Sequence, residues 1–510
     1  MNIGKEYLMN IKRKRSIRVG LLCLLGALLF GGCGNRTAGP VNETDKTVHS
    51  ESTDSSGGEA TNRNETTGET KTEEPTKDDG KQEELPTVDI EKVSASRKYF
   101  LGETDKDPIA YQVGEEMHFT VSLYADEKLA SCAKFKYILK GDDGRKVETG
   151  YADGKTGVFK LTTKIGIPGF VNLQVIACDK DGIVINGVDP FTGGAGADIA
   201  NIQKAKAEPA DFDDFWKEQL TLLNGTAPSL LDAREVASPN ASFTVYSVKI
   251  RFCSRNTWGS YVSGYLSVPK NAKKESLSLN LVYMGAGIFD IDKVCTARTA
   301  TLVVSAHCLE LGQDKYYYGG LMNGSLRNYF EAHNETRESV YFREMILRDI
   351  QAVRFMKKYF GADGTDERFS GLWNANKELV LSGGSQGGFQ CVAVAALEPD
   401  ITKIVIKYPW LCDVGGCGTD GRMASTFMPT YTPALEYYDT VNFGKRLTCP
   451  TFIEAEGLGD DVATTTGVTV FWNNLNPTIE RRIIYIQNQS HSRAPKKLYK
   501  FTLYVEASVN

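Results

Sequence analysis

Ser385 stands in the run Gly383-Gly384-Ser385-Gln386-Gly387-Gly388, directly after the apolar residues Leu379-Val380-Leu381. A serine hydroxyl is a weak nucleophile until a histidine takes its proton and a carboxylate orients that histidine. Gly-x-Ser-x-Gly between a strand and a helix is the pattern of a nucleophile elbow. Such a turn holds the serine in a strained conformation, and small neighbours let two backbones approach. The small-residue helix expected over 389–397 would bring its positive end beside the hydroxyl. The plainer reading, a flexible glycine turn, does not account for the buried strand before it.

Beyond Ser385 the chain has one histidine, His491, in Gln487-Asn488-Gln489-Ser490-His491-Ser492. Asp460 and Asp461 lie between the two, just past a strand expected over 451–455. Asp460 is the first choice for the orienting acid and Asp461 the second, while Glu456 sits too close to the strand. The order serine, acid, histidine is that of α/β-hydrolases. Acyl transfer also needs N–H donors for the developing oxyanion. The backbone of Gln386 is one candidate, and that of Ala286, in Met284-Gly285-Ala286-Gly287, is the other. His307 beside Cys308 has no second ligand nearby and reads as a structural or substrate-lining residue. His118 and His333 read as surface, and His49 lies in a polar tract.

The elements that must position these residues alternate along the second part of the chain. A helix is expected over 211–223, with Phe212, Phe215, Trp216, Leu220 and Leu223 on one face and Asn224-Gly225 closing it. Residues 243–250 and 262–268 read as an antiparallel pair, and 279–283 and 301–305 as buried strands. A long helix over 340–359 precedes the elbow strand. Strands at 404–408, 451–455 and 482–486 follow. Alternation of this kind implies a mostly parallel sheet with helices on both faces, and an elbow in mid-sheet makes it an α/β-hydrolase.

The first part of the chain is different. Lys12, Arg13, Lys14, Arg15 and Arg18 precede an apolar run, 19–30, that ends in Gly31-Gly32-Cys33. This is the pattern of an export signal, too short to span a membrane as a helix. Cys33 after two glycines resembles the lipidation site of bacterial lipoproteins. Phe30 stands where that motif usually has leucine, so a plain secretory signal is the alternative. Residues 34–90 are polar and charged, the composition of a disordered tether. From 91 to about 200 the apolar pattern has period two, as in Met117, Phe119, Val121 and Leu123, with turn signals at 141–144 and 179–182. That predicts a small Ig-like β-sandwich. Gly193-Gly194-Ala195-Gly196 reads as a connector to the hydrolase domain, 201–510.

Composition narrows the partners. A formal net charge of −5 over 510 residues, with no basic stripe interleaved with aromatics, gives nucleic-acid binding no support. Nine cysteines follow Cys33 without zinc-site spacing or a dense disulfide framework, so no metal or cofactor is called for. Most read as buried small hydrophobes. Cys412 and Cys417 are close enough in sequence to bridge.

Several stretches together resemble the acetyl xylan esterase and cephalosporin C deacetylase family. Gly383-Gly384-Ser385-Gln386-Gly387-Gly388 matches its Gly-x-Ser-Gln-Gly-Gly signature. Pro209-Ala210-Asp211-Phe212-Asp213-Asp214-Phe215-Trp216 is similar to its opening helix. Pro409-Trp410-Leu411-Cys412-Asp413 and Gly457-Leu458-Gly459-Asp460 resemble its turns beside the nucleophile and the acid. The likeness spans roughly 165–505 and implies deacetylation of acetylated sugars, with Ser385, Asp460 and His491 as the triad. The chain departs from the family in lacking its Arg-Gly-Gly-Gln stretch. It also has Ser492 after the histidine and Ala463-Thr464 in place of the usual Cys-Pro. With its leading β-domain it looks like a divergent branch, which leaves the oligomeric state open. The expectation is a lipid-anchored esterase at a bacterial cell surface. Rival readings are a small-ester or cephalosporin deacetylase, a serine peptidase, and a glycan-binding lipoprotein with a decayed hydrolase domain.

Overall fold

The computed structural model describes residues 46–47, 88–94, 97–253 and 259–506. The export segment, Cys33 and nearly all of the tether lie outside them. Among the described residues no helix is long and apolar enough to cross a membrane.

Alternating apolar residues between 88 and 197 build two facing sheets. One has the strand order Phe191–Ala197, Gly169–Cys178, Lys134–Gly141, Glu148–Asp153. In the other, Met117–Ala125 lies between Lys98–Thr104 and Val158–Thr163, with Lys128–Ser131 folding back on it. Phe100, Phe119, Val121, Phe135, Leu173 and Val175 are buried between the sheets, while His118 on the opposite face is exposed. The Gly-rich run 193–196 is not the connector its composition suggests. It forms a fully buried strand in antiparallel register with Gly169–Cys178.

The second sheet system is larger. We number its strands β1 (Leu230–Val236), β2 (Phe243–Arg251), β3 (Tyr261–Pro269), β4 (Ser278–Tyr283), β5 (Thr299–Val304), β6 (Leu379–Gly384), β7 (Lys403–Lys407), β8 (Thr451–Gly457), β9 (Arg481–Ile486) and β10 (Lys500–Val505). Their order is β1-β2-β3-β5-β4-β6-β7-β8-β9-β10, and Lys46–Thr47 pairs parallel to β10. From β5 to β9 every pairing is parallel, while β1, β2 and β3 run antiparallel to their neighbours and β10 runs antiparallel to β9. A mostly parallel sheet with β4 and β5 exchanged and the elbow at the end of the central β6 is the α/β-hydrolase topology. The fold expected from the sequence is thus the fold observed.

Among the described residues, α1 (Phe212–Asn224) precedes these strands and five α-helices lie between them: α2 (Lys315–Asn323), α3 (Tyr341–Phe360), α4 (Gln386–Leu397), α5 (Thr440–Gly444) and α6 (Thr465–Asn473). α3 carries apolar residues at helical spacing, ends with Lys357 and Lys358 where the helix dipole favours cations, and is followed by Gly361. α4 is buried on nearly every side. Phe389 on α4 meets Phe342 on α3 edge to face at 5.6 Å.

Buried between these two helices is a carboxyl. Asp349 of α3 accepts a hydrogen bond from the Gln390 amide of α4 (2.7 Å). Desolvation pushes its pKa up to about 8 against the smaller opposing pulls of Gln390 and Arg348. A carboxyl that holds its proton more tightly when folded adds stability at low pH and loses it as pH rises through the folded value. For Asp349 that window runs from about pH 4 to about pH 8. Asp349→Asn should therefore flatten the decline in urea midpoint across this window. An unchanged slope in the variant would remove Asp349 as its source.

Candidate functional site

The site begins with close backbone contact. Gly383 and Gly387 have no side chains because none would fit. A Cβ on Gly383 would lie 2.6 Å from the Gly387 carbonyl, and one on Gly387 would lie 2.1 Å from the Tyr283 carbonyl oxygen. Between them Ser385 adopts φ 55°, ψ −124° as the N-cap of α4. This is a conformation that L-residues adopt only under constraint. The constraint is visible: the Ser385 N–H donates to the Lys407 carbonyl (3.1 Å), and its own carbonyl accepts from the Trp410 N–H (3.0 Å).

Across from this turn lies His491. Its Nε2 is 2.9 Å from the Ser385 Oγ, and its Nδ1 is 2.8 Å from the Asp460 Oδ2. An ionised carboxylate only accepts, so Nδ1 carries the proton and Nε2 is free to accept from the serine hydroxyl. The other carboxylate oxygen of Asp460 accepts from the N–H groups of Val462 (2.8 Å) and Ala463 (3.0 Å), which fixes the carboxylate plane. The structure thus brings Ser385, His491 and Asp460 into one hydrogen-bonded line. Asp461, the second choice from the sequence, is exposed, and no hydrogen bond joins its carboxylate to His491. His491 lies not after the final strand but in the loop between β9 and β10.

The surroundings explain the polarity of this line. Glu456 on β8 is fully buried, and neither of its oxygens has a partner among the described residues. Desolvation, and secondarily the negative charge of Asp460, raise its pKa well above the usual carboxylate range. The carboxylate that meets the imidazole is that of Asp460, and no hydrogen bond joins Glu456 to it. Tyr408 packs its ring edge against His491 at 4.8 Å. With Leu411 and Asp413 it belongs to a turn holding three non-glycine residues at positive φ (33°, 61° and 52°). Sequence spacing gives no warning of Tyr408, apart from its place just before Pro409-Trp410.

The oxyanion candidates are also placed. The Gln386 N–H is the first in α4 and has no intrahelical acceptor. Ala286 lies in the loop that leaves β4, and its N–H makes no hydrogen bond among the described residues. Two contacts steady these positions. The Tyr329 hydroxyl donates to the Gln386 side-chain oxygen (2.6 Å), and His307 Nε2 donates to the Gly287 carbonyl (3.1 Å). His307 Nδ1 then accepts from the Tyr341 hydroxyl (2.6 Å). Burial, helped by Arg348, lowers the His307 pKa to about 3, so it stays neutral and keeps this pattern. His307 is thus a structural residue behind the loop.

All nine cysteines after Cys33 are free thiols. Cys412 and Cys417 are not bridged. The Cys412 Sγ donates to the Pro409 carbonyl, and the Cys417 Sγ accepts from the Ser425 N–H.

Sheet order, elbow and the line of three side chains define an α/β-hydrolase. Residues 197–416 match the acetyl xylan esterase family. This segment is thus similar to that family, the one its motifs resemble. It includes Ala286, Ser385 and Gln386 but ends before Asp460 and His491. The acetyl esterase Axe7A of Xylanibacter ruminicola is 27% identical over 289 residues, covering 52% of this chain. The chain spans 60% of the length of that relative. Among solved structures, acetyl xylan esterase 1 from Thermoanaerobacterium sp. aligns with a TM-score of 0.46 at 18% identity, covering 58% of this chain and 93% of its own. The acetyl xylan esterase from Paenibacillus sp. R4 aligns with a TM-score of 0.43 at 17% identity, covering 58% and 94%.

The two aspartates can be separated by experiment. Asp460→Asn should lower kcat for an aryl acetate by roughly 10³- to 10⁴-fold, because the wrong imidazole tautomer then faces the serine. Asp461→Asn should change it by less than about twofold, in line with a surface substitution. Comparable losses in both variants would undo the assignment of the acid.

Proposed function

We propose that the chain is a serine esterase that removes acetyl groups from acetylated sugars, xylan-derived oligosaccharides in particular. The observation that carries this reading is the continuous Ser385–His491–Asp460 hydrogen-bonded line, at 2.9 and 2.8 Å, behind a strained elbow. The family match over 197–416 and the acetyl esterase relative support the acetyl group as the acyl part.

Ser385 Oγ attacks the acetyl carbonyl carbon while its proton passes to His491 Nε2. Asp460 holds the imidazole and balances the imidazolium charge that forms. The Gln386 and Ala286 N–H groups face the oxygen as it becomes negative, and a donor of this kind contributes on the order of 10²- to 10³-fold in kcat. As the intermediate collapses, the bond to the sugar oxygen breaks, and that oxygen leaves with the proton from Nε2. Water, deprotonated by the same nitrogen, then cleaves the acetyl-serine ester and releases acetate. None of these steps requires a metal or cofactor.

Ser385→Ala should abolish acetate release from acetylated xylo-oligosaccharides and from an aryl acetate while leaving the thermal transition in place. A fluorophosphonate probe should label the parent chain and not the variant. Substantial turnover in Ser385→Ala would overturn the reading. Labelling without acetate release from any acetylated glycan would turn it toward small esters, cephalosporins or peptides.

The location follows from the leader. We infer that Cys33 carries a lipid that holds the enzyme at the outer face of a bacterial membrane, with residues 34–90 as tether. In a bacterial host, labelled palmitate should enter the full chain, and Cys33→Ser should abolish incorporation. Incorporation that survives the substitution would exclude this anchor.

A further inference from the structure

The glycine-rich strand Phe191–Ala197 does more than close the β-sandwich. Its backbone contacts the two loops that carry Asp460 and His491. The Gly194 N–H donates to the Gln487 side-chain oxygen (3.0 Å), and the Gln487 amide donates back to the Gly194 carbonyl (2.9 Å). The Thr192 N–H donates to Asn488 Oδ1 (3.0 Å), whose amide nitrogen in turn donates to the Phe100 carbonyl (3.0 Å). Arg493 donates to the Thr192 hydroxyl (2.9 Å). On the acid side, the Asn172 amide donates to the Leu458 carbonyl (3.2 Å).

The approach is so close that side chains are excluded. A Cβ on Gly194 would lie 2.6 Å from the Leu458 carbonyl oxygen, and one on Gly459 would lie 2.3 Å from the Thr192 carbonyl oxygen. These anchors fall within four residues of His491 and within two of Asp460. The two loops also join each other directly, the Gly459 N–H donating to the Gln489 carbonyl (3.0 Å). Gln487, Asn488 and Gln489 are buried, so water does not replace these bonds.

We propose that this strand of the β-sandwich is a positioning element for the reaction, with Gln487 and Asn488 as its positioning residues. It holds the His491 loop and the Asp460 loop in the register that lines the imidazole up between carboxylate and hydroxyl. The inference rests on the triad reading above and assigns the leading domain a catalytic consequence as well as a share in stability. Misplacing a catalytic group by about 1 Å costs up to about 100-fold in rate. The loss should therefore appear in kcat rather than in KM.

The test uses the chain carrying both domains, with an aryl acetate as soluble substrate. Gln487→Met keeps the side-chain length and removes both bonds to Gly194. It should lower kcat by roughly 10- to 100-fold with KM within about twofold. Thr192→Val, which removes only the bond from Arg493, should give a severalfold loss of the same kind and serves if the first variant does not fold. The control is Asn473→Ala, which cuts the bonds from α6 to the Ile199 and Ile202 carbonyls, away from both loops. It should lower the melting temperature and leave kcat unchanged. Unchanged kcat in Gln487→Met, or in Thr192→Val should Gln487→Met fail to fold, would reduce the strand to a purely structural role. So would an equal kcat loss in Asn473→Ala. Ser385→Ala in the same assay separates the two claims. Residual turnover there defeats the triad, whereas a dead Ser385→Ala beside a fully active Gln487→Met defeats only the positioning role.

Discussion

The close passage of α4 beneath the end of β4 is the constraint from which the site follows. The Tyr283 carbonyl oxygen lies where a side chain on Gly387 would begin, so the helix can start only with glycine at that position. Because the helix starts there, Ser385 has no room for an ordinary strand-to-helix bend and takes a positive φ. Hydrogen bonds from its N–H and to its carbonyl keep it in place. The strain is thus supported by a sheet pairing, β6 with β7, and by the turn that leaves β7. That same turn supplies Tyr408 against the imidazole, so Ser385 and His491 are braced by one piece of backbone.

Charge is distributed with similar economy. Burial works against the charged forms of Glu456, Asp349 and His307. Asp460 differs in being hydrogen-bonded at both oxygens, to two backbone N–H groups and to the imidazole. Each of these bonds fixes the position and plane of the carboxylate. Glu456, four residues earlier, is buried with no such donors among the described residues.

Much of this was legible in the sequence because the relevant signals are local. Gly383, Gly387 and the apolar run before them report the elbow through steric need alone. The alternation of Met117, Phe119, Val121 and Leu123 reports a half-buried strand. A lone histidine placed after a strand near the C-terminus was enough to find His491. The missed features are those set by partners distant in sequence. Leu230–Val236 is an edge strand with exposed polar residues, and Lys500–Val505 is half-buried along its whole length, so the periodicity of both is weak. The run 193–196 looks like a linker by composition, and only its burial against residues 458 and 487 shows why it must be glycine. Between Asp460 and Asp461, a one-residue choice, the decision belongs to loop geometry that no pattern encodes.

The free thiols bear on what holds this fold together. Among the described residues no disulfide ties distant segments together, and burial raises Cys391 and Cys412 well above the ordinary thiol range and Cys132 and Cys449 to about 12. Sulfur chemistry proceeds through the thiolate, a form these four side chains do not populate at neutral pH. The two cores are accordingly held together without sulfur bridges among the described residues. Oxidation and cross-linking can reach these sulfurs only in a chain that has already come apart.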